Sequence, residues 1–285
     1  MSLSPPPALG QTAVPAGTYE GQTVVVTGGG TGIGKGIATE FARAGANVAI
    51  LSRKPEHLQA GVEAIRAIGG KAIAARGDVR DADSIAAAFD EVEAGLGPVS
   101  VLINNAAGNF PSPAERMSPN AWRTVVDIVL NGSFNCSREF ALRRMAAGQG
   151  GAIVNIAATY AWTGGPGTAH SAAAKAGVVN MTQSLAVEWA PDDIRVNGIA
   201  PGLFPHDDLP DAMKIKEPVE QARTIPGGRT GEVRELGWAA TFLCSPYAHY
   251  ITGHTLVVDG ANWLRRGLRM PEFTPIREVF GDART

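Results

Sequence analysis

Eight residues near the start of the chain, Thr27-Gly28-Gly29-Gly30-Thr31-Gly32-Ile33-Gly34, bring five glycines into one short run. Glycine lets a backbone turn tightly and approach a diphosphate closely. A helix opening there offers free N–H groups and the positive end of its dipole to the phosphates. The run follows an apolar stretch, Thr23–Thr27, and precedes a helical pattern, which is the context that separates a phosphate-binding turn from a flexible loop. A second apolar stretch ends in Leu51-Ser52-Arg53-Lys54. An acidic residue there would accept from a free ribose 2′-hydroxyl, whereas Arg53 and Lys54 suit a 2′-phosphate and point to NADP(H). The competing reading is two solvated charges at a strand end, with Glu56 close by. Gly77-Asp78-Val79 could lie against an adenine, and Asn104-Asn105-Ala106-Ala107-Gly108 closes a fourth apolar run. The expected cofactor contacts are therefore Thr27, Gly28, Gly30, Thr31, Gly32, Ile33, Gly34, Ser52, Arg53, Lys54, Asp78, Val79, Asn105, Ala106 and Gly108.

A second group of reactive side chains lies downstream. Ser171 and Lys175 are spaced Ser-x-x-x-Lys, Tyr160 stands eleven residues before the serine, and Asn109 follows Gly108. His170 beside Ser171 suggests a nucleophile and its base, but sequence neighbours on a helix do not face each other, and no nucleophile elbow accompanies them. Asn109 could instead be a turn residue, and Tyr160 a packed aromatic with a satisfied hydroxyl. Lys175 sits among small residues, Ser171–Gly177, as if placed. Asn131 falls in the middle of a helical pattern, where Asn is a poor helix former, and suits a water or backbone network behind the lysine.

The elements that must position these residues can be read from periodicity. Apolar runs at Thr23–Thr27, Asn47–Ser52, Lys71–Ala75, Val99–Asn104, Ala152–Ile156, Arg195–Ile199 and Thr255–Val258 predict strands, several of them too continuously apolar to have a wet face. Helical patterns alternate with them at Gly34–Ala44, Pro55–Ile68, Ala82–Ala94, Pro119–Ala146, Ala169–Glu188 and Glu232–Leu243. Strand and helix alternating in this way give βαβ units and a parallel sheet with right-handed crossovers. The expected fold is α/β, a Rossmann-like doubly wound sheet of about seven strands in one domain spanning 21–285. Ligands then bind beyond the carboxyl ends of the strands. Residues 1–20, with Pro5, Pro6, Pro7 and Pro15, read as a flexible tail. The stretch of about 203–228, with Pro205, Pro210, Pro218 and Pro226, reads as a substrate lid, and 260–285 as a C-terminal tail without assignable pattern.

Composition narrows the class. The chain has 285 residues, 45% hydrophobic and 18% charged, with a formal net charge of −2, so it carries a sizeable core and no nucleic-acid footprint. Cys136 and Cys244 lie far apart without a ligand cluster, which argues against a disulfide framework or zinc site and for two core thiols. There is no run of about 18 apolar residues to span a membrane, and the first twenty residues lack Lys and Arg. The expectation is a soluble, cytoplasmic protein without a metal.

Taken together, Thr27-Gly28-x-x-x-Gly32-Ile33-Gly34, the Asn-Asn-Ala-Ala-Gly run and Ser171-x-x-x-Lys175 resemble the short-chain dehydrogenase/reductase family from about Tyr19 to Asp259. The usual active-site motif there is Tyr-x-x-x-Lys with an earlier Ser, and in this sequence the two positions hold Ser171 and Ala158. Carbonyl reduction makes an alkoxide that needs an acid of suitable pKa, and a serine hydroxyl is too weak to serve. Reducing a C=C bond conjugated to a thioester makes a delocalised enolate instead, which needs positioned donors at the thioester oxygen. One branch of the family shows this pattern, the 2,4-dienoyl-CoA reductases. The chain is similar to them in Asn105–Phe110, Ser118–Trp122, Asp127–Gly132 and the Tyr160/Ser171/Lys175 spacing. The resemblance implies Tyr160 and Asn109 at the thioester oxygen, Ser171 ordering the site, and Lys175 on the nicotinamide ribose. It places Pro201, Gly202 and Phe204 along the nicotinamide and Arg80, Phe110 and Ser118 against the acyl-CoA. It also implies a homotetramer acting in fatty-acid β-oxidation. Rival readings are a trans-2-enoyl-CoA reductase, an ordinary carbonyl reductase and a catalytically silent NADP(H)-binding sensor.

Overall fold

In the computed structural model, which describes residues 2–206, 208, 218–265 and 276–279, the central strands are apolar on both sides because helices cover both faces. The seven strands are β1 (Thr23–Thr27), β2 (Asn47–Ser52), β3 (Lys71–Arg76), β4 (Val99–Asn104), β5 (Gly151–Ile156), β6 (Ile194–Pro201) and β7 (Thr255–Val258). They form one sheet in the order β3-β2-β1-β4-β5-β6-β7, with every neighbouring pair parallel. The order reverses between β1 and β4, and a crevice opens there beyond the strand ends.

Side chains alternate across a strand, so β1 feeds two separate cores. Val24 and Val26 pack with Ile37 and Phe41 of α1 (Gly32–Arg43), Leu58, Val62 and Ile65 of α2 (Pro55–Arg66) and Leu236 and Ala240 further on. Val25 packs on the opposite face with Ile85, Phe89 and Val92 of α3 (Ala82–Leu96) and with Cys136 and Phe140. Each such buried side chain contributes about 1.5–3 kcal/mol from removal of apolar area. Both cysteines are buried and free, and burial pushes their thiols up to about 12.

The helical pattern at 119–146 forms three pieces: α4 (Pro119–Val126), a π turn (Asp127–Asn131) and α5 (Gly132–Ala146). Gly132 is the reason the chain can pass there, since a Cβ on it would lie 2.6 Å from Val79 Cγ2. A short α6 (Tyr160–Thr163) precedes the long α7 (Ala169–Trp189), and α8 (Pro218–Thr224) and α9 (Val233–Cys244) follow. The 203–228 stretch is described only at 203–206, 208 and 218–228. Of the C-terminal tail only 260–265 and a helical turn, α10 (Ile276–Val279), are described, and the remainder lies outside the described residues.

The N-terminal segment differs from the expected free tail. Leu3 N–H donates to the Gly227 carbonyl (2.8 Å), Arg229 Nε to Ser4 (3.2 Å) and Trp238 Nε1 to Gln11 (3.0 Å). Val14 and Tyr19 are buried, and the Tyr19 hydroxyl donates to Thr241 O. Prolines remove N–H donors and fix an extended backbone, which suits a strap laid over a surface as well as it suits a loose tail.

Candidate active site

The cofactor end of the crevice is shaped by backbone. Gly28 and Gly32 adopt positive φ, +64° and +47°, which an L side chain resists. A Cβ on Gly34 would fall 2.4 Å from both Asn105 Nδ2 and Gly28 O, and one on Gly30 would fall 1.8 Å from the His57 carbonyl oxygen. Two residues expected to touch the cofactor tie the strand ends together at this cleft, and one of them, Asn105, also lines it. Thr27 Oγ1 accepts from the N–H groups of Asn105 (3.0 Å) and Ala106 (2.9 Å), tying the end of β1 to the end of β4. Asn105 Nδ2 donates back to the carbonyls of Thr27 (3.1 Å) and Gly28 (3.2 Å). The resulting cleft is lined by Thr31, Gly32, Ile33, Gly34, Ser52, Arg53, Lys54, Val79, Ala106, Gly108 and Asn109. A glycine cradle that side chains would fill, set at the opening of α1, fits a dinucleotide diphosphate.

Charge at the far rim is organised around Asp78. Arg80 grips its carboxylate from Nε (3.0 Å) and Nη2 (2.6 Å), while Arg53 stands 3.6 Å away and half exposed. The Arg80 hydrogen bonds hold the Asp78 pKa below the usual carboxylate range. Arg80 is therefore engaged with Asp78 rather than pointing free towards a substrate.

The catalytic end is built from side chains on several elements. Lys175, on α7, is buried and donates to the Ile156 carbonyl at the end of β5. Burial lowers its pKa to about 8, so it is still largely protonated at neutral pH. Tyr160, opening α6, has its hydroxyl 3.0 Å from Ser171 Oγ on α7. Burial raises the Tyr160 pKa, opposed in part by that hydrogen bond, so the phenol stays neutral, and either hydroxyl can be the donor in the pair. Asn109 accepts from the Phe110 N–H through Oδ1 (3.0 Å), the turn role its type suggests, and this leaves its amide N–H₂ as the group able to meet an oxygen. Asn131 Nδ2 donates to Asp127 Oδ1 (2.8 Å) across the π turn, a distortion often found at functional sites.

Beneath these groups runs a buried polar ladder that the apolar look of the strands conceals. Asn104 on β4 and Asn155 on β5 are register partners, and Asn104 Nδ2 donates to Asn155 Oδ1 (2.8 Å) and Ser137 Oγ (2.8 Å). Asn155 Nδ2 then donates to Thr182 Oγ1 on α7 (2.9 Å). Asparagine in a strand interior is the one available sequence signal for it. His170 is fully buried, and its Nδ1 accepts the Ser171 N–H (2.8 Å). Its ring meets Phe110 edge to face at 4.5 Å. Burial lowers its pKa, opposed by a backbone hydrogen bond at Thr168, and its Nδ1 meets the Ser171 N–H rather than the Ser171 hydroxyl, so the two do not form a Ser/His pair.

Three expected contacts have protein partners of their own. Phe204 is buried in the core, its ring so close to Gly231 that a Cβ there would fall 2.2 Å from it, and it does not line the cleft. Ser118 caps α4, accepting from the Ala121 N–H (3.1 Å). Gly202 is pressed against Asp259, where a Cβ would come within 2.4 Å. In the other direction, His57, His206 and Asp208 line the cofactor cleft without any motif that marks them in the sequence.

The sequence profile of the family described as enoyl-(acyl carrier protein) reductase matches residues 28–261. The chain belongs to the short-chain dehydrogenase/reductase family. It is 42% identical over 250 residues to a probable 2,4-dienoyl-CoA reductase [(2E)-enoyl-CoA-producing] of Bacillus subtilis, covering 86% of this chain and 98% of that one. It is 38% identical over 263 residues to the peroxisomal 2,4-dienoyl-CoA reductase [(3E)-enoyl-CoA-producing] of Arabidopsis thaliana, covering 88% of each. Among solved structures, a short chain dehydrogenase from Bacillus anthracis superimposes with a TM-score of 0.79 at 42% identity, over 87% of this chain and 98% of that one. The protein is thus a short-chain oxidoreductase whose family uses a nicotinamide cofactor. Among the described residues, no helix is long and apolar enough to cross a membrane.

Proposed function

We propose that this short-chain reductase uses NADPH to reduce a conjugated acyl-CoA, converting a 2,4-dienoyl-CoA to a 3-enoyl-CoA. The observation that carries this reading is the Tyr160–Ser171 contact of 3.0 Å beside buried Lys175, with Ser171 on α7 where the family's phenol acid belongs. The bound nicotinamide supplies a hydride to the far end of the diene. The chain's own task is then to hold the negative charge that appears on the thioester oxygen. Tyr160 Oη and Asn109 Nδ2 are donors for that oxygen, and one such donor is worth about 10²–10³ in rate. A phenol whose pKa burial has raised keeps its proton, so it can hydrogen-bond an enolate oxygen but is a reluctant acid towards an alkoxide. Ser171 orients the Tyr160 hydroxyl, and protonated Lys175 holds the nicotinamide ribose. Water protonates the dienolate at C2 and leaves the 3-enoyl product. Protonation at C4 would leave the 2-enoyl product instead, and the names of the two relatives carry one outcome each.

Arg53 and Lys54 at the cleft rim support the choice of NADPH, since Arg53 is half exposed and its pairing to Asp78 is loose at 3.6 Å. Replacing Arg53 by Asp should weaken NADPH much more than NADH. Phe110, which packs edge to face on His170 at the catalytic end, is the group we assign to the acyl-CoA. Exposed Phe134 and Leu142 on α5 and Val187 on α7 support self-assembly, and a tetramer is the form the family resemblance implies. A trans-2-enoyl thioester also passes through an enolate, so the same donors could serve it. NADPH consumption with 2,4-dienoyl-, 2-enoyl- and 3-oxoacyl-CoA of one chain length ranks the readings. The dienoyl thioester should give the highest kcat/KM, and preference for the 3-oxo substrate would refute the proposal.

A further inference from the structure

The opening turn of α1 is already engaged by an anion, and that anion belongs to the chain itself. Asp208, in the segment that follows β6, accepts the Gly32 N–H through Oδ2 at 2.7 Å. The same oxygen accepts from Lys35 Nζ at 3.2 Å. His206, two residues earlier, lays its imidazole over Gly32, where a Cβ would fall 2.5 Å from Cε1. His206 and Asp208 both line the cleft that holds Arg53, Asn105 and Asn109. A backbone N–H at the start of this helix, with the dipole behind it, is where the glycine-rich turn presents itself to a dinucleotide diphosphate.

We propose that Asp208 is an internal competitor for the diphosphate of the cofactor: its carboxylate occupies the anion position on Gly32 and Lys35, and dinucleotide binding must displace it. Displacement exchanges one anion for another over the same donors. It leaves Lys35 facing the diphosphate and breaks the contacts of Asp208 with Gly32 and Lys35. Burial alone would raise the Asp208 pKa, but the Gly32 N–H, Lys35 and His206 together bring it below the usual carboxylate value, so the competitor is ionised at neutral pH. Asp208 thereby sets cofactor affinity from a position that contributes nothing to hydride transfer. The inference rests on a dinucleotide binding at this turn and not on which cofactor or acyl substrate is used.

Equilibrium titration without substrate tests it, using NADP⁺, NAD⁺ and adenosine 2′-monophosphate, which lacks the diphosphate bridge. Asp208→Ala and Asp208→Asn should each tighten both dinucleotides by the same factor, about threefold to tenfold for a partly exposed charge-assisted contact. Adenosine 2′-monophosphate should bind wild type and variants alike. The asparagine variant keeps the side-chain size, and melting curves of both variants verify folding. Unchanged or weaker dinucleotide affinity in the folded variants overturns the proposal. An equal gain for adenosine 2′-monophosphate also overturns it, because the effect would then not act at the diphosphate. A wrong choice between NADP(H) and NAD(H) would show separately, as the ratio of the two wild-type affinities.

Discussion

At the cofactor end of the cleft the working parts are main-chain groups. Glycine φ angles, the Thr27 and Asn105 ties between β1 and β4, and the open N-terminal turn of α1 together set the shape. At the proposed catalytic end they are side chains from three places: Asn109 after β4, Tyr160 on α6, and Ser171 and Lys175 on α7. A backbone-built end tolerates almost no added atoms but accepts varied side chains around it. A side-chain-built end keeps its scaffold when a group is changed, and loses chemistry instead. Substitutions at the first end should therefore cost stability and binding together, and at the second end turnover, with cofactor binding changed only at Lys175.

The largest effect should come from Gly30→Ala, whose Cβ meets the His57 carbonyl oxygen at 1.8 Å. Overpacking of that severity costs about 2–3 kcal/mol, so the variant should melt much earlier and bind no dinucleotide measurably. Gly164→Ala, with open space around it and φ +75°, should cost only about 1–2 kcal/mol and leave binding intact. Thermal melts paired with cofactor titration separate the two, and similar behaviour of both variants would break the comparison.

Next in size are Tyr160→Phe and Asn109→Ala, each expected to lower kcat by about 10²–10³ with NADPH affinity nearly unchanged. The double variant should lose less than the product of the singles if both donors serve one oxygen. Ser171→Ala should lose less than about tenfold, far short of the 10²–10⁴ that removal of a true acid removes. Full activity in Tyr160→Phe would reduce Tyr160 to a packing residue.

A smaller effect is expected from pH. Burial brings Lys175 down to about 8, so its charge is present below that value and lost above it. Its protonated form is the one that attracts an anionic dinucleotide and donates to ribose hydroxyls. The dissociation constant for NADP⁺ should be flat below pH 8 and rise above it, approaching about tenfold per pH unit. Lys175→Met should bind more weakly throughout and show no such rise. A wild-type profile level to pH 9.5 would contradict this role.

The contrast between the two ends also explains which features the amino-acid sequence declares and which it hides. Strand positions are legible because β1, β2 and β4 are apolar on both faces, and the glycine-rich turn because few other residues fit its φ angles. The break in the long helix at Asp127–Asn131 is not legible, since a π turn leaves no period of its own and the close approach of Gly132 to Val79 beside it is tertiary. The family resemblance singles out Ser171, Lys175 and Tyr160, but their burial and the Tyr160–Ser171 contact depend on α6 meeting α7. Phe204 goes to the core rather than the cleft because Gly231 leaves room for its ring. Asp208 leaves no mark in the sequence, since a carboxylate in an irregular stretch declares no partner until the chain folds it onto Gly32.

The most direct test of the account is a competition in D₂O between a 2,4-dienoyl-CoA and a 3-oxoacyl-CoA of equal length, with NADPH and wild-type protein. Mass spectrometry and NMR then identify the products. Donors set for an enolate, with serine in place of the acid, predict consumption of the diene to a 3-enoyl-CoA carrying one solvent deuteron at C2, with the 3-oxo thioester left intact. Formation of 3-hydroxyacyl-CoA while the diene remains would contradict it.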